Sequence, residues 1–242
     1  MASYASEVKK ELTSIEVHPE HAKAELAAFL RMNAVLSRHD GQMSLDIVTE
    51  NPAIARRIFS LIKTAYGFEP QLIVTRKMKL KKNHQYLVRV AQMVSEIMAD
   101  LEIYSPKKGF ITGVPDKIKY SEQRSMSYLR GAFLASGSVN NPETSRYHLE
   151  IYCTYANHSQ DLQEIMNKYF DLNAKVTARR SGSIVYLKEA EKIGDFLHVV
   201  GAFNAMLAFE DLRIMRDMRN SVNRLVNCDT ANLRKTAGAA AK

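Results

Sequence analysis

A chain of 242 residues suits one large domain or two medium ones, and its 46% hydrophobic and 25% charged content is that of an ordinary globular protein with a substantial core. No run approaches the roughly 18 apolar residues of a membrane span, and Met1–Glu7 lacks the basic and apolar regions of a signal peptide. The two cysteines, Cys153 and Cys228, exclude a disulfide framework and fit a reducing cytosol, whereas a net charge of +8 favours an anionic partner.

In chain order, Ser3 to Leu12 reads as a short helix within an N-terminal segment, 1–19. A second helix starts after Pro19, with Ala24, Ala28, Phe29 and Met32 at helical spacing. Val35-Leu36 and the alternating Met43, Leu45 and Ile47 flank the turn His39-Asp40-Gly41, a hairpin signal. Asn51-Pro52 caps a helix that buries Ile54, Ile58, Leu61 and Ile62 and stops at Gly67. Strands at about 70–81 and 85–90 and a helix near 91–100 complete a unit over 20–101. A turn-rich linker occupies 102–123. A second unit over 124–201 has a helix near 124–137, a loop through Asn140-Asn141-Pro142, a strand near 146–154 and a helix near 158–169. Strands near 174–180 and 183–187, joined by Ser181-Gly182, and a helix from about 189 follow. Residues 205–227 form a long amphipathic helix within a last segment, 202–242. Its apolar positions are Met206, Met215, Met218, Val222, Leu225 and Val226, and Arg216, Asn220, Asn223 and Asn227 share another face.

The two units are copies. Glu25-Leu26-Ala27-Ala28-Phe29-Leu30-Arg31-Met32-Asn33 recurs as Tyr128-Leu129-Arg130-Gly131-Ala132-Phe133-Leu134-Ala135-Ser136, with Leu26/Leu129, Ala28/Gly131 and Asn33/Ser136 at one offset of 103 residues. Leu45 and Leu149, then Val74 and Val176, keep the correspondence to within one residue. The small residues Ala24, Ala28, Gly131 and Ala135 suit helices whose backbones approach closely.

This duplicated motif resembles that of the LAGLIDADG homing endonucleases. The resemblance implies an α+β fold of two pseudo-symmetric repeats, each αββαββα, with the motif helices packed at the centre and a linker helix after them. The chain is more closely similar to the WhiA family of bacterial sporulation and cell-division regulators. Ser6-Glu7-Val8-Lys9-Lys10-Glu11-Leu12, Tyr128–Ala135 and Asn220-Ser221-Val222-Asn223-Arg224-Leu225-Val226-Asn227-Cys228 carry that similarity. Members of that family carry a C-terminal helix-turn-helix, and this chain is expected to end where it would begin.

In the endonucleases the last acidic residue of each motif holds a divalent metal, because hard cations take anionic oxygens. The matching positions here are Asn33 and Ser136, neither of them an anion. Neither a metal, a cofactor nor a catalytic residue is therefore expected. A relocated site on Asp40 or Glu143 is the alternative. The seven histidines show no ligand spacing, and phosphate-loop and nucleophile-elbow motifs are missing from the sequence.

From Gln71 to Ser95 there is no acidic residue, while Arg76, Lys77, Lys79, Lys81, Lys82 and Arg89 are basic. Alternate strand residues repeat about every 6.7 Å, near the spacing of phosphates along one DNA strand. The second copy offers Lys175, Arg179 and Arg180, with Lys188 nearby. A lysine guard against edge aggregation is the competing account of these ladders. Arg130 fits a buried ion pair or a solvent-facing position, and the Arg216/Asn220/Asn223/Asn227 stripe fits DNA contact, docking of a further domain or plain solvation. The resulting expectation is a monomeric, cytoplasmic, nucleoid-associated and non-catalytic regulator that does not engage membranes. Its partners would be double-stranded DNA, mainly through the further C-terminal domain, and the transcription machinery. A protein-interaction scaffold and a residual nuclease are the alternatives.

Overall fold

The computed structural model describes residues 3–39, 41–76 and 84–240. Helix α1 (Tyr4–Leu12) is capped by Ser3, and α2 (Pro19–Asn33) by His18 with Pro19 in its first turn. The chain then forms β1 (Ala34–His39), β2 (Gln42–Thr49), α3 (Pro52–Tyr66), β3 (Gln71–Arg76), β4 (His84–Val90) and α4 (Val94–Asp100). Asn51 caps α3 by accepting from the amides of Ala53 and Ile54, and Gly67 ends it in the left-handed region at φ 75°. The connecting segment contains the two-stranded β5 (Tyr104–Ser105) and β6 (Gly109–Phe110), then the short α5 (Asp116–Lys119).

The second unit runs α6 (Glu122–Ser136), β7 (Gly137–Val139), β8 (Leu149–Cys153), α7 (Ala156–Phe170), β9 (Lys175–Arg179), β10 (Gly182–Leu187) and α8 (Ala190–Val200). Its antiparallel sheet has the order β7-β8-β10-β9, which repeats the order β1-β2-β4-β3 of the first. The α+β reading of two LAGLIDADG-like repeats holds.

Several boundaries differ from the sequence expectation for local reasons. The second motif helix begins earlier than position 124 because Ser121 supplies a cap that accepts from Arg124 N–H. The chain turns straight from Ser136 into β7, so the first strand of this unit sits where the sequence suggested the end of a helix and a loop. The last helix, α9 (Phe203–Ala240), runs well past residue 227, through an alanine-rich stretch that contains no proline. Strand β3 is described only as far as Arg76, and Lys77, Lys79, Lys81 and Lys82 lie outside the described residues, as does Asp40.

One hydrophobic core joins both units. Its axis is the pair α2 and α6, which bury residues nearly all round rather than along one stripe. Their backbones touch: a Cβ added at Gly131 would lie 2.4 Å from the Glu25 carbonyl oxygen and 3.0 Å from Ala28 Cβ. Beside this contact Tyr128, fully buried, has its hydroxyl 2.8 Å from His158 Nε2 on α7. Burial holds the His158 ring down to about 4, so it stays neutral in the fold.

Two outcomes follow from this packing. Gly131→Ala should lower stability by about 1–3 kcal/mol, a melting shift of roughly 2–12 °C for a chain of this size. Gly238→Ala, which meets no neighbour, should leave the melting temperature in place. Because His158 titrates lower in the folded state than in the unfolded chain, the unfolded state takes up the proton first as pH falls. Stability should therefore drop between about pH 6.5 and 4, by up to about 3 kcal/mol, and denaturant titrations of His158→Gln should show a flatter pH dependence across that window.

Candidate nucleic-acid interface

The carboxylate of Glu25, wholly buried in α2, receives two hydrogen bonds of 2.7 Å from Arg57 Nε and Nη2 on α3. Arg130 Nη1 on α6 donates to the same carboxylate at 3.3 Å, and its Nε donates to the Val200 carbonyl at 2.6 Å, at the end of α8. Arg130 is thus a buried ion-pair partner, which closes one of the two readings left open by the sequence. This cluster ties α3 and α8 to the motif axis of α2 and α6. In the first motif helix, Arg31 donates to the carbonyls of Leu101, Glu102 and Gly113, so the connecting segment is held to the same axis.

At the C-terminal ends of the motif helices, Asn33 Nδ2 donates to Val48 O at 3.4 Å and Ser136 Oγ to Tyr152 O at 2.7 Å. Val48 and Tyr152 occupy matching places on β2 and β8, so the two residues make the same contact in each copy. Both work as hydrogen-bond donors to a strand. A hard divalent cation is held best by carboxylates, and these two positions supply only neutral oxygens, with the Ser136 hydroxyl already donating to its strand. Glu143, the described member of the alternative pair, lies in an exposed loop where its amide donates to Asn141 Oδ1. Among the described residues no group of three His, Cys, Asp or Glu is placed to hold a metal.

The sheets turn one face to the helices and the other outward. In the first, Leu45, Ile47, Val88 and Val90 face the core, so the alternate residues Asp46, Arg89, Gln71, Ile73 and Thr75 project from the other face. Arg89 donates through Nε and Nη2 to both Asp46 oxygens at 2.8 Å, and this pairing holds the Asp46 carboxyl below the usual carboxylate range. Arg89 belongs by sequence to the basic run, and its neutralising partner sits on the neighbouring strand β2. The signal was the absence of acidic residues within Gln71–Ser95; the acid came from 43 positions away.

In the second sheet Leu149, Ile151, Cys153, Val185 and Leu187 face the core, while Glu150, Tyr186, Lys175, Thr177 and Arg179 project outward. Lys175 and Arg179 are exposed on the edge strand β9, about 13 Å apart along it, and exposed Arg180 follows in the turn. Inward along the register lie Tyr186, stacked on His148, and Glu150, whose carboxylate is 3.0 Å from His148 Nε2. Lys188 Nζ sits 5.1 Å from the Tyr186 ring centre.

Of the long-helix stripe, Arg216 is committed to the second unit. Its Nη1 donates to the carbonyls of Pro142 and Ser145, and its guanidinium lies 4.8 Å from the Tyr147 ring centre. Asn220, Asn223 and Asn227 are exposed.

Residues 19–104 match the model of the WhiA N-terminal LAGLIDADG-like domain, and residues 125–219 that of the WhiA LAGLIDADG-like domain. A relative from Lactobacillus delbrueckii subsp. bulgaricus, named "Probable cell division protein WhiA", is 99% identical over all of this chain and 78% of its own length. The chain belongs to the WhiA family. A WhiA relative of the same name from Lactobacillus johnsonii is 79% identical over all of this chain and 77% of its own length. Full-length WhiA from Thermatoga maritima, a crystal structure, superposes at TM-score 0.72 with 23% identity over 98% of this chain and 74% of its own. The homing endonuclease I-WcaI, bound to its DNA recognition sequence, superposes at 0.53 with 13% identity over 80% of this chain and 87% of its own. At that identity the likeness is one of fold.

The buried charges make the cluster sensitive to a single change. Glu25→Gln leaves two arginines facing each other in the interior and should cost about 3–5 kcal/mol in denaturant unfolding. Ser136→Ala should cost about 1 kcal/mol, and Ser136→Asp more, because a carboxylate would face the Tyr152 carbonyl.

Proposed function

We propose that this WhiA-family chain is a DNA-binding, non-catalytic regulator of transcription that acts in cell division, and with it in sporulation and chromosome segregation. The observation that carries the reading is the second sheet's open face, where exposed Lys175 and Arg179 project in register from an edge strand of a homing-endonuclease-like scaffold. Backbone phosphates are the fitting partner for cations so spaced, and such contacts position a duplex without reading its bases. The basic run Lys77–Lys82 of the first copy extends the same reading by sequence. Neutral Asn33 and Ser136, engaged with their strands, support a role without strand cleavage. In this scheme the chain works as a monomer at the nucleoid in the cytoplasm, and the transcription machinery is its protein partner.

A specific observation also supports a scaffold without DNA affinity of its own. Met218, Val222 and Leu225 are 57–66% exposed on α9, and helical geometry turns them about 180–240° from the docked Arg216. An apolar face on the outside of the molecule suits a protein partner.

Binding of the chain to a random duplex across a salt series separates the two. The slope of log affinity against log salt should be steep, and should flatten by about one unit for each phosphate contact removed in Lys175→Ala, Arg179→Ala and Arg180→Ala. The set Lys77→Ala, Lys79→Ala and Lys81→Ala should act likewise. No binding, or a slope indifferent to both sets, would leave the scaffold reading.

A further inference from the structure

On the side of the molecule built by α1 and the start of α3 lies a cleft of about 500 Å³. Ser6, Lys10 and Ser14 line one wall, Asn51, Arg56 and Ser60 the other, and no carboxylate lines it. Lys10 and Arg56 are exposed, and neither forms an ion pair among the described residues. The nearby Glu11 carboxylate is used elsewhere, accepting from the amides of Asn204 and Ala205 at the start of α9.

Beneath the cleft the charge is also unbalanced. Arg57, 5% exposed, lines it while belonging to the buried cluster in which two guanidiniums share one carboxylate. That cluster carries one net positive charge in the interior. Arg57 uses three of its five N–H donors on Glu25 and the Ile15 carbonyl. The 15-residue α3 opens onto the same space through Asn51 and Ala53, with no acidic residue in its first turn. An adjoining opening, which shares Ser6 and Asn51, is lined by Lys9, whose pKa is lowered to about 8 by burial, and by Glu50.

We propose that this cleft binds a phosphate group, with Lys10 and Arg56 pairing its oxygens from opposite walls, hydroxyls of Ser6, Ser14 and Ser60 donating to it, and Arg57 beneath. Cations on two sides and several short hydroxyl donors match a tetrahedral, multiply charged oxyanion better than a flat carboxylate. The phosphate can belong to a free monoester or to the DNA backbone, and the site needs no duplex to be filled.

The test follows backbone amide resonances of the 242-residue chain during titration with sodium phosphate, against sodium chloride at equal ionic strength. Saturable shifts at Ser6, Lys10, Asn51 and Arg56 are expected. The variant carrying Lys10→Gln and Arg56→Gln should bind phosphate about 10- to 100-fold more weakly, the scale of one or two charge-assisted hydrogen bonds, at an unchanged melting temperature. Adenosine monophosphate and a random duplex then distinguish the sources. Shifts of the same resonances with the duplex assign the site to the DNA backbone, and shifts with the monophosphate alone assign it to a small ligand. Loss of duplex binding with the phosphate response intact would count against the proposed function and not against this site. Shifts that fail to saturate, or that persist equally in the double variant, would overturn the proposal.

Discussion

Two helices approach here until backbone meets backbone. Gly131 of α6 stands against the Glu25 carbonyl of α2, and the side chain of that same Glu25 draws in Arg57 and Arg130. The close approach leaves no room for a larger residue, and the buried carboxylate leaves no tolerance for losing its partners. Each unit hangs from one of these helices, so the placement of both sheets depends on a contact a few atoms wide. The Arg130 bond to Val200 and the Arg31 bonds to the connecting segment extend that dependence to the end of α8 and to the chain between the copies.

The ends of the same helices show how one scaffold can leave one chemistry and keep another. A carboxylate at position 33 or 136 would face a strand carbonyl, whereas the amide and hydroxyl found there donate to it. The motif termini thus serve the helix-to-strand junction. The outward sheet faces are unequal: the described part of the first neutralises Arg89 with Asp46, and the second keeps Lys175 and Arg179 exposed.

Charge and apolar surface are separated across the rest of the molecule. The cleft between α1 and α3 gathers cations and hydroxyls without acids, while α9 holds Arg216 against the second unit and turns large apolar side chains outward. Both arrangements invert the usual economy of a monomeric surface, in which cations are paired or scattered and apolar stripes face the core.

The repeat, the antiparallel hairpins and the capped helices were legible in the chain itself, because a 103-residue offset, alternation in Met43–Ile47 and the Asn51-Pro52 and Gly67 signals are local physics. So was the loss of carboxylates at positions 33 and 136. The length of β7, the early start of α6 and the full extent of α9 were not, since caps and an alanine-rich tail decide them with little periodic signal. The partners of Glu25, Asp46 and Arg216 were beyond reach altogether. They come from residues 32 and 105, 43 and more than 70 positions away, and only folding brings them together. Sequence therefore determined which elements form and that the motif ends carry an amide and a hydroxyl. Tertiary structure decided which charges are cancelled, which stay open and where, because the energy of a charge depends on its neighbours in space and on the water it has lost.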